Sequence, residues 1–317
     1  MKKKILLGYN FDRAGFKVLE ENFELIYPEK QYFEKEELLH LIADADVLVP
    51  NFGYRTDKEI IDCGKNLKLI ANFGVGYDNI DAEYAATRGI AVTNTPNSVL
   101  EPTAELCFAL ILAAARRIGF YNSALRAEKG LRWGLYNNLG TSVYGKTLGI
   151  FGMGRIGQAV ARRAIASGMN VIYNNRRPLD ASIESRYNAK FVDFESLLQL
   201  SDVISINAPA TSETFHLFGS NAFSKMKSNA LLVNVARGSL VDEKALIEAL
   251  QEGRIGGAGL DVFENEPKIS PELFDLENVI LTPHAGTKAV ESRLEMQHEV
   301  VGNILGFFAG KQISRVN

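Results

Sequence analysis

The chain has 317 residues, of which 46% are apolar and 23% charged, and its formal net charge is −3. This length predicts about two domains whose cores need no disulfide or metal to support them. The charge balance gives no basic surface for nucleic acid or an anionic membrane, and the two cysteines lack the spacing of a zinc motif, so we expect a cytoplasmic globular protein without metal.

The N-terminal residues predict a strand and not a signal peptide. Tyr9, Asn10 and Asp12 interrupt the apolar run after Lys4 before it reaches the length of a signal-peptide core. The longest apolar run, 106–115, has about half the length that a membrane-spanning helix needs. We therefore expect no membrane segment.

Short apolar runs alternate with amphipathic stretches in both halves of the chain. Such alternation is typical of a parallel sheet with helices on its faces. The runs predicted as strands are 4–8, 23–26, 47–49, 69–71, 90–92, 147–151, 171–173, 203–206, 231–233, 259–261 and 279–281. The fold class is therefore α/β, with two doubly wound parallel-sheet domains.

The segment 102–120 is apolar on nearly every side, which predicts a buried helix that joins the domains or lies in a subunit interface. The last helical pattern, 289–308, has no strand after it, so we expect it to return to the first domain. A dinucleotide-binding domain, 99–286, would then be inserted into a discontinuous substrate domain that comprises 1–98 and 287–317.

A G-x-G-x-x-G motif follows the strand 147–151 and opens a helical pattern, the context in which this motif indicates a dinucleotide. Gly152 should allow the tight turn, Gly154 should let the pyrophosphate approach the backbone, and Gly157 should let the helix pack on its strand. The predicted cofactor residues of this loop are Gly152, Met153, Gly154, Arg155, Ile156 and Gly157.

The position that holds the adenosine ribose in many dinucleotide sites has no acidic residue here. About twenty residues beyond the glycine motif, the chain has Asn175, Arg176 and Arg177 instead. The missing acid removes repulsion, and an arginine can form charge-assisted hydrogen bonds with a 2′-phosphate. The pattern favours NADP(H) over NAD(H), and the alternative is that both arginines are simply solvated.

Three further motifs follow strands of the second domain, at the edge where open α/β sheets bind ligands. They contain Arg237, Glu266 and His284. An arginine, a carboxylate and a histidine at one edge suit hydride transfer at a carbinol beside a carboxylate. This reaction needs an anion clamp, a proton shuttle and a group that tunes the shuttle.

In order and spacing, the motifs resemble the D-isomer-specific 2-hydroxyacid dehydrogenase family over nearly the whole chain, and are most similar to glyoxylate/hydroxypyruvate reductases. The motifs are G-x-G-x-x-G at 152–157, V-A-R-G at 235–238, E-x-E-P at 264–267 and P-H-x-G at 283–286. The resemblance implies a Rossmann cofactor domain inserted into a flavodoxin-like substrate domain. It also implies that His284 is the acid/base, that Glu266 orients it, and that Arg237 binds the substrate.

The resemblance implies further contacts in both domains. The loop after the strand 69–71 is similar to the family's substrate loop, where the N–H groups of Val75 and Gly76 would form an anion nest. Phe52 and Gly53 would line the variable side of the pocket. The residues expected around the nicotinamide half are Thr103, Ala208, Pro209, Val235, Ala236, Asp261 and Gly286.

The activity implied is NAD(P)H-dependent hydride transfer to a small 2-ketoacid such as glyoxylate or hydroxypyruvate. Two alternatives stay open: a phosphoglycerate dehydrogenase, and a dinucleotide-sensing corepressor-like protein that binds transcription factors. A homodimer is also implied, because 131–134 resembles the family's dimer arm, in which Trp133 either reaches the partner's site or only packs in the interface. The remaining histidines, His40, His216 and His298, are expected at the surface or in packing.

Overall fold

The computed structural model describes residues 2–50, 55–128 and 134–317. In chain order, the strands and helices are β1 (Lys3–Leu7), α1 (Arg13–Phe16), β2 (Phe23–Ile26), α2 (Lys35–Leu41), β3 (Val47–Val49), α3 (Lys58–Cys63), β4 (Leu69–Ala71), α4 (Ala82–Thr87), β5 (Ala91–Thr93), α5 (Leu100–Ala115), α6 (Ile118–Glu128), β6 (Thr147–Phe151), α7 (Arg155–Ala166), β7 (Asn170–Asn174), α8 (Ala181–Tyr187), β8 (Ala189–Phe191), α9 (Phe194–Leu200), β9 (Val203–Ile206), α10 (Ser220–Lys225), β10 (Leu231–Asn234), α11 (Glu243–Gln251), β11 (Gly257–Leu260), β12 (Val279–Leu281) and α12 (Val290–Phe308). These elements belong to two compact units, each with its own sheet.

Unit 1 contains Met1–Val99 and Lys288–Asn317. Its five strands pair in the order β2-β1-β3-β4-β5, and every pair is parallel. This is the flavodoxin-like strand order. All residues of β3, β4 and β5 are buried, as expected for parallel strands with helices on both faces. Helix α12 packs against α1 and β4 within this unit.

Unit 2 contains Leu100–Thr287. Its seven strands pair in the order β12-β11-β10-β9-β6-β7-β8, again with every pair parallel. Counted from β6, this is the strand order of a Rossmann sheet with one additional strand at its edge. The predicted α/β fold, with two parallel-sheet domains of which one is a Rossmann domain, is confirmed.

The prediction of one helix over 102–120 is wrong, because the segment forms two helices, α5 and α6. The chain turns between them at Arg117, whose φ is 52°, and the Arg117 guanidinium lies 4.5 Å from the centre of the Phe120 ring. Helix α5 packs against α7, β10 and β11 of unit 2. Its apolar side chains therefore contribute to the core of the Rossmann sheet.

None of the helices in the described ranges combines the length and the apolar character needed to cross a bilayer. In the same ranges, no group of three or more histidine, cysteine or acidic side chains is arranged to hold a metal ion.

Candidate active site

The glycine motif forms the turn between β6 and α7. Gly152 has a φ of 90°, and a Cβ atom on it would lie 2.5 Å from the backbone nitrogen of Ala208. A Cβ on Gly157 would lie 2.6 Å from the carbonyl oxygen of Gly152, whereas a Cβ on Gly154 would meet no atom within 4 Å. The loop thus combines a turn that favours glycine, close helix–strand packing and an open approach to the backbone at Gly154.

The end of β7 supports this loop. Oδ1 of Asn175 accepts a 2.7 Å hydrogen bond from the N–H of Met153, and the N–H of Gly152 donates to the carbonyl oxygen of Asn174 at 3.0 Å. No side chain in the described part of the chain caps the N-terminus of α7. Its first N–H groups, with the open backbone at Gly154, therefore suit the pyrophosphate of a dinucleotide.

Arg176 and Arg177 follow Asn175, and both side chains are exposed. The charge of Arg176 acts on the loop after β9. That loop contains Glu213. A hydrogen bond from the Thr211 hydroxyl lowers the pKa of the Glu213 carboxyl most, and the positive charge of Arg176 lowers it further. The predicted 2′-phosphate region therefore contains both an exposed arginine and a nearby carboxylate.

Glu266 and His284 form a hydrogen-bonded pair. Nδ1 of His284 lies 2.8 Å from Oε2 of Glu266, and Oε1 of the same carboxylate accepts a 2.9 Å hydrogen bond from the N–H of Phe263. Because a carboxylate can only accept, Nδ1 carries a proton and Nε2 is the ring nitrogen that could contact a ligand. The His284 side chain is 52% exposed, so Nε2 can exchange a proton with a bound molecule.

Glu266 is stabilised as a carboxylate. Burial raises the pKa of its carboxyl group, but the hydrogen bond and charge of His284, the N–H of Phe263 and the charge of Arg237 together hold that pKa below its ordinary value. An ionised Glu266 fixes the tautomer and the orientation of the imidazole ring.

The loop that carries His284 is held by Asp261, whose side chain is only 1% exposed. Oδ1 of Asp261 accepts hydrogen bonds of 2.6 Å from the Thr282 hydroxyl and from the N–H of Ala285, and Oδ2 accepts one of 2.9 Å from the N–H of Gly286. The Asp261 carbonyl accepts the N–H of His284 at 2.8 Å. These bonds hold His284 at a φ of 48°, a conformation that costs roughly 1–3 kcal/mol.

Arg237 follows β10 in an extended conformation and is partly buried. Its carbonyl oxygen accepts a 2.9 Å hydrogen bond from the side chain of Asn234, and its Nη1 donates to the carbonyl oxygen of Ala236 at 2.7 Å. Gly238 lies so close to the next loop that a Cβ on it would be 2.0 Å from the carbonyl oxygen of Phe263. The Arg237 loop and the Glu266 loop are thus in direct contact.

Several residues predicted around the nicotinamide lie close together in unit 2. A Cβ on Gly286 would lie 3.3 Å from Oγ1 of Thr103 and 3.4 Å from Oδ2 of Asp261. Ala208 lies against Gly152, as described above, and leads to the exposed Pro209. Val235 is buried and Ala236 is partly buried between β10 and Arg237.

In unit 1, two asparagines shape the loop after β4. The side-chain amide of Asn72 donates to the carbonyls of Gly74 and Gly76 at 3.0 and 2.7 Å, and the amide of Asn94 donates to the Val75 carbonyl at 2.9 Å. In a trans peptide, C=O and N–H point in opposite directions, so the N–H groups of Val75 and Gly76 point away from these asparagines. Phe52 and Gly53 lie outside the described residues.

Sequence reasoning missed a cation beside this loop. The Arg293 guanidinium lies 5.9 Å from the centre of the Phe73 ring, and its Nη1 lies 3.7 Å from Sδ of Met296. Burial lowers the pKa of this guanidinium, and no acidic residue in the described ranges forms an ion pair with it. Arg293 lies in the first turn of α12, far from β4 in sequence, so the sequence gave no indication that Arg293 approaches Phe73.

His216 was expected at the surface or in packing, and its pairing is a second feature that the sequence did not reveal. Its Nε2 lies 2.8 Å from Oε1 of Glu264, two residues before Glu266. The E-x-E spacing of the two glutamates was visible in the sequence. The partner of each glutamate was not.

Comparison with known proteins agrees with this geometry. The family model described as "D-isomer specific 2-hydroxyacid dehydrogenase, NAD binding domain" matches residues 108–286. Proteins named glyoxylate reductase from Pyrococcus horikoshii and Thermococcus gammatolerans are 42% and 44% identical to the chain over 316 residues, which is 98% of this chain and 94% of each relative.

The chain is also similar to the crystal structure of an NADPH-dependent glyoxylate/hydroxypyruvate reductase from Sinorhizobium meliloti in complex with NADP and malonate. The TM-score is 0.88 at 32% sequence identity, and the match covers 100% of this chain and 97% of that one.

Replacement of Glu266 with glutamine should alter the acid dependence of stability. The pKa of Glu266 in the folded protein lies below its ordinary value of 4.5, so the ionised carboxyl adds stability above that pH, and the contribution is lost as the pH falls through the folded pKa. Thermal unfolding midpoints should therefore differ most between the native chain and Glu266→Gln above pH 4.5, and should converge in more acidic buffer.

The control is made in a His284→Gln background, which lacks the histidine that contributes most to lowering the Glu266 pKa. There, the effect of Glu266→Gln should depend less on pH. The same dependence in both backgrounds would show that His284 does not stabilise the carboxylate.

Proposed function

We propose that this chain, which belongs to the D-isomer-specific 2-hydroxyacid dehydrogenase family, reduces small 2-ketoacids such as glyoxylate and hydroxypyruvate to D-2-hydroxyacids with a reduced nicotinamide dinucleotide. The observation that carries the proposal is the His284–Glu266 pair, formed beside the Arg237 loop at the carboxyl edge of the Rossmann sheet. Relatives named for glyoxylate and hydroxypyruvate reduction match nearly the full length of the chain.

The residues of unit 2 fit the dinucleotide. Gly154 and the uncapped N-terminus of α7 would hold the pyrophosphate, while Thr103, Ala208 and Asp261 would border the nicotinamide half. A nicotinamide bound there would supply the hydride for the reduction of the ketoacid at C2.

The protein's own part in the reaction is binding and proton transfer. Arg237 would bind the substrate carboxylate and carbonyl oxygen, because its planar guanidinium can form two parallel hydrogen bonds with oxygen acceptors. Nε2 of a protonated His284 would donate its proton to the carbonyl oxygen as C2 is reduced, and the hydroxyacid then leaves with both hydrogens. In the oxidation direction, neutral His284 would take that proton back.

In unit 1, we assign Val75 and Gly76 to an anion nest for the substrate carboxylate. Asn72 and Asn94 hold the carbonyl groups of this loop to one side, which directs the N–H groups to the other. Arg293, which contacts Phe73 at the start of the loop, adds positive charge. Phe52 and Gly53 remain candidates for the wall of the pocket.

Purified protein should oxidise NADPH rapidly with glyoxylate and hydroxypyruvate, and slowly with pyruvate and phenylpyruvate. His284→Ala should lower kcat by about 10²- to 10⁴-fold, the usual contribution of an acid/base group. Arg237→Lys should raise the ketoacid KM and lower kcat, since lysine cannot form the bidentate contact. His298→Ala, on the exposed surface of α12, is the control and should retain native kinetics.

Turnover that survives His284→Ala would contradict the proton-transfer role. Cofactor binding without turnover on the whole panel would instead favour a phosphorylated substrate or a dinucleotide-sensing protein.

Within nicotinamide dinucleotides, we propose a preference for NADP(H) over NAD(H). Residue 175 is an asparagine, so this position offers no carboxylate acceptor for the ribose hydroxyls, and its Oδ1 already accepts the N–H of Met153. The next residue, Arg176, is exposed and can bind a 2′-phosphate. The negative charge of Glu213 would moderate this preference, since it competes for the same guanidinium.

Arg176→Ala should therefore lower the ratio of kcat/KM for NADPH to kcat/KM for NADH by roughly 10-fold or more, because a hydrogen bond to a charged group contributes about 1.5–3 kcal/mol. Glu213→Gln should raise the ratio. Steady-state kinetics with both cofactors measure the effect, and Arg186→Ala, an exposed arginine on α8, is the control. Unchanged ratios in both Arg176→Ala and Arg177→Ala would show that neither arginine recognises the phosphate.

We also propose a homodimer. The segment 134–144 and helix α6 expose large apolar side chains, and such patches mark association surfaces. The most exposed of them are Leu135 (86%), Tyr136 (84%), Tyr144 (78%), Leu139 (63%) and Ile118 (53%). The dimer arm predicted at 131–134, including Trp133, lies outside the described residues except for Gly134.

Sedimentation equilibrium should give twice the 35.0 kDa mass of one chain. The double variant Leu135→Lys/Tyr136→Lys should shift the equilibrium toward monomer, because it puts charge into the apolar patch. Phe274→Lys is the matched control, since Phe274 is 63% exposed in the same unit but belongs neither to the segment 134–144 nor to α6. A monomeric native chain would refute the dimer.

The compartment we propose is the cytoplasm, on the evidence of the cysteines. Cys63 and Cys107 are both free thiols, and burial raises the pKa of Cys107 to about 12, which leaves it unreactive. Thiols that are not paired suit a reducing environment.

A further inference from the structure

A second histidine–carboxylate pair lies in unit 2, formed by His216 and Glu264. Their side chains are 31% and 24% exposed, less than those of His284 and Glu266. The imidazole of His216 also stacks on Phe215, with ring centres 3.9 Å apart and ring planes inclined by 14°. The stack and the 2.8 Å contact with Glu264 together hold the His216 ring in one orientation.

Glu264 is in turn paired with Glu243, the first residue of α11. Oε2 of Glu264 accepts the N–H of Glu243 at 3.2 Å, and Oε2 of Glu243 accepts the N–H of Glu264 at 3.1 Å. Oε1 of Glu243 accepts the hydroxyl of Ser270, and Glu243 is only 6% exposed. Each carboxylate oxygen therefore has a donor, and a polar network satisfied in this way makes the surrounding structure rigid.

This network joins the two loops that carry Arg237 and Glu266. The N–H of His216 donates to the carbonyl of Ser239 at 2.9 Å, two residues after Arg237. Glu264 lies two residues before Glu266. Between these points, Gly238 is packed directly on Phe263, as described above. The hydrogen bonds thus fasten the Arg237 loop to the Glu266 loop beside the contact between Gly238 and Phe263.

We propose that His216, Glu264 and Glu243 are positioning residues, which set the spacing between Arg237 and Glu266 and, through Glu266, the orientation of His284. The inference rests on the proposed function and explains why a second hydrogen-bonded histidine–carboxylate network lies beside the first. A displacement of about 1 Å between a binding group and an acid/base group can cost about 10²-fold in rate. The N–H of Phe263 ties the network to the active site, because it donates to the Glu266 carboxylate.

His216→Ala and Glu264→Gln should each lower kcat/KM for glyoxylate by about 10-fold or more, with a lower kcat and a higher ketoacid KM. The KM for NADPH should stay near its native value. His216→Gln keeps a side-chain N–H that can reach Glu264 and should recover most of the loss. The double variant His216→Ala/Glu264→Gln should be little worse than either single variant, because both remove the same contact.

Lys225→Gln is the matched control. It breaks the 3.2 Å ion pair between Lys225 and Glu195, which lies in the same unit but does not join the two active-site loops. Its kinetics should be native. If His216→Ala reduces activity only in proportion to the folded fraction, with both KM values unchanged, the network is structural only and the proposal is overturned.

A second readout needs no turnover and so separates this proposal from the proposed function. In protein labelled with ¹⁵N-histidine, the Nδ1–H signal of His284, assigned by its loss in His284→Gln, should shift or broaden in His216→Ala and stay unchanged in Lys225→Gln. An unchanged His284 signal in His216→Ala would overturn the positioning role, even in a chain that reduces no ketoacid.

Discussion

The buried carboxylate of Asp261 is the interaction on which the site depends most. It gathers three donors from the segment 282–286 and holds His284 in a left-handed backbone conformation that most residues avoid. Because Asp261 is almost fully buried, loss of its oxygens would leave donors without partners, at about 1–3 kcal/mol for each. The same loop places Gly286 beside Thr103. The Asp261 carboxylate therefore fixes both the backbone at His284 and the predicted nicotinamide region.

The strand order of the sheet explains why Arg237, Glu266 and His284, which are distant in sequence, lie in neighbouring loops. Strands β10, β11 and β12 are neighbours and parallel, so the loops at their carboxyl ends lie side by side. Arg237 follows β10, Glu266 follows β11 and His284 follows β12. These spatial relations could be predicted from the sequence, because the alternation of strands and helices allows few other arrangements. The strands predicted at 147–151 and 203–206 have those bounds in the structure.

Other elements depend on contacts that a local pattern does not contain. Strand β8 was not predicted, because only Ala189 of its three residues is buried and the segment has no apolar run. The break between α5 and α6 was missed because arginine is a good helix former, so nothing local at Arg117 indicates a turn. The contact between Arg117 and Phe120 appears only once the chain has turned.

The two glutamates of the E-x-E motif show most clearly where sequence reasoning ends. Residues two apart in an extended segment point to the same side, so the pattern alone would direct both carboxylates toward one partner. The chain instead makes a tight turn at 265–268, where the N–H of Lys268 donates to the carbonyl of Asn265. Glu266 lies inside the turn and reaches the exposed His284, while Glu264 lies before it and reaches the more buried His216. The more exposed pair can exchange a proton with a ligand, and the less exposed pair is suited to hold the surrounding loops in place.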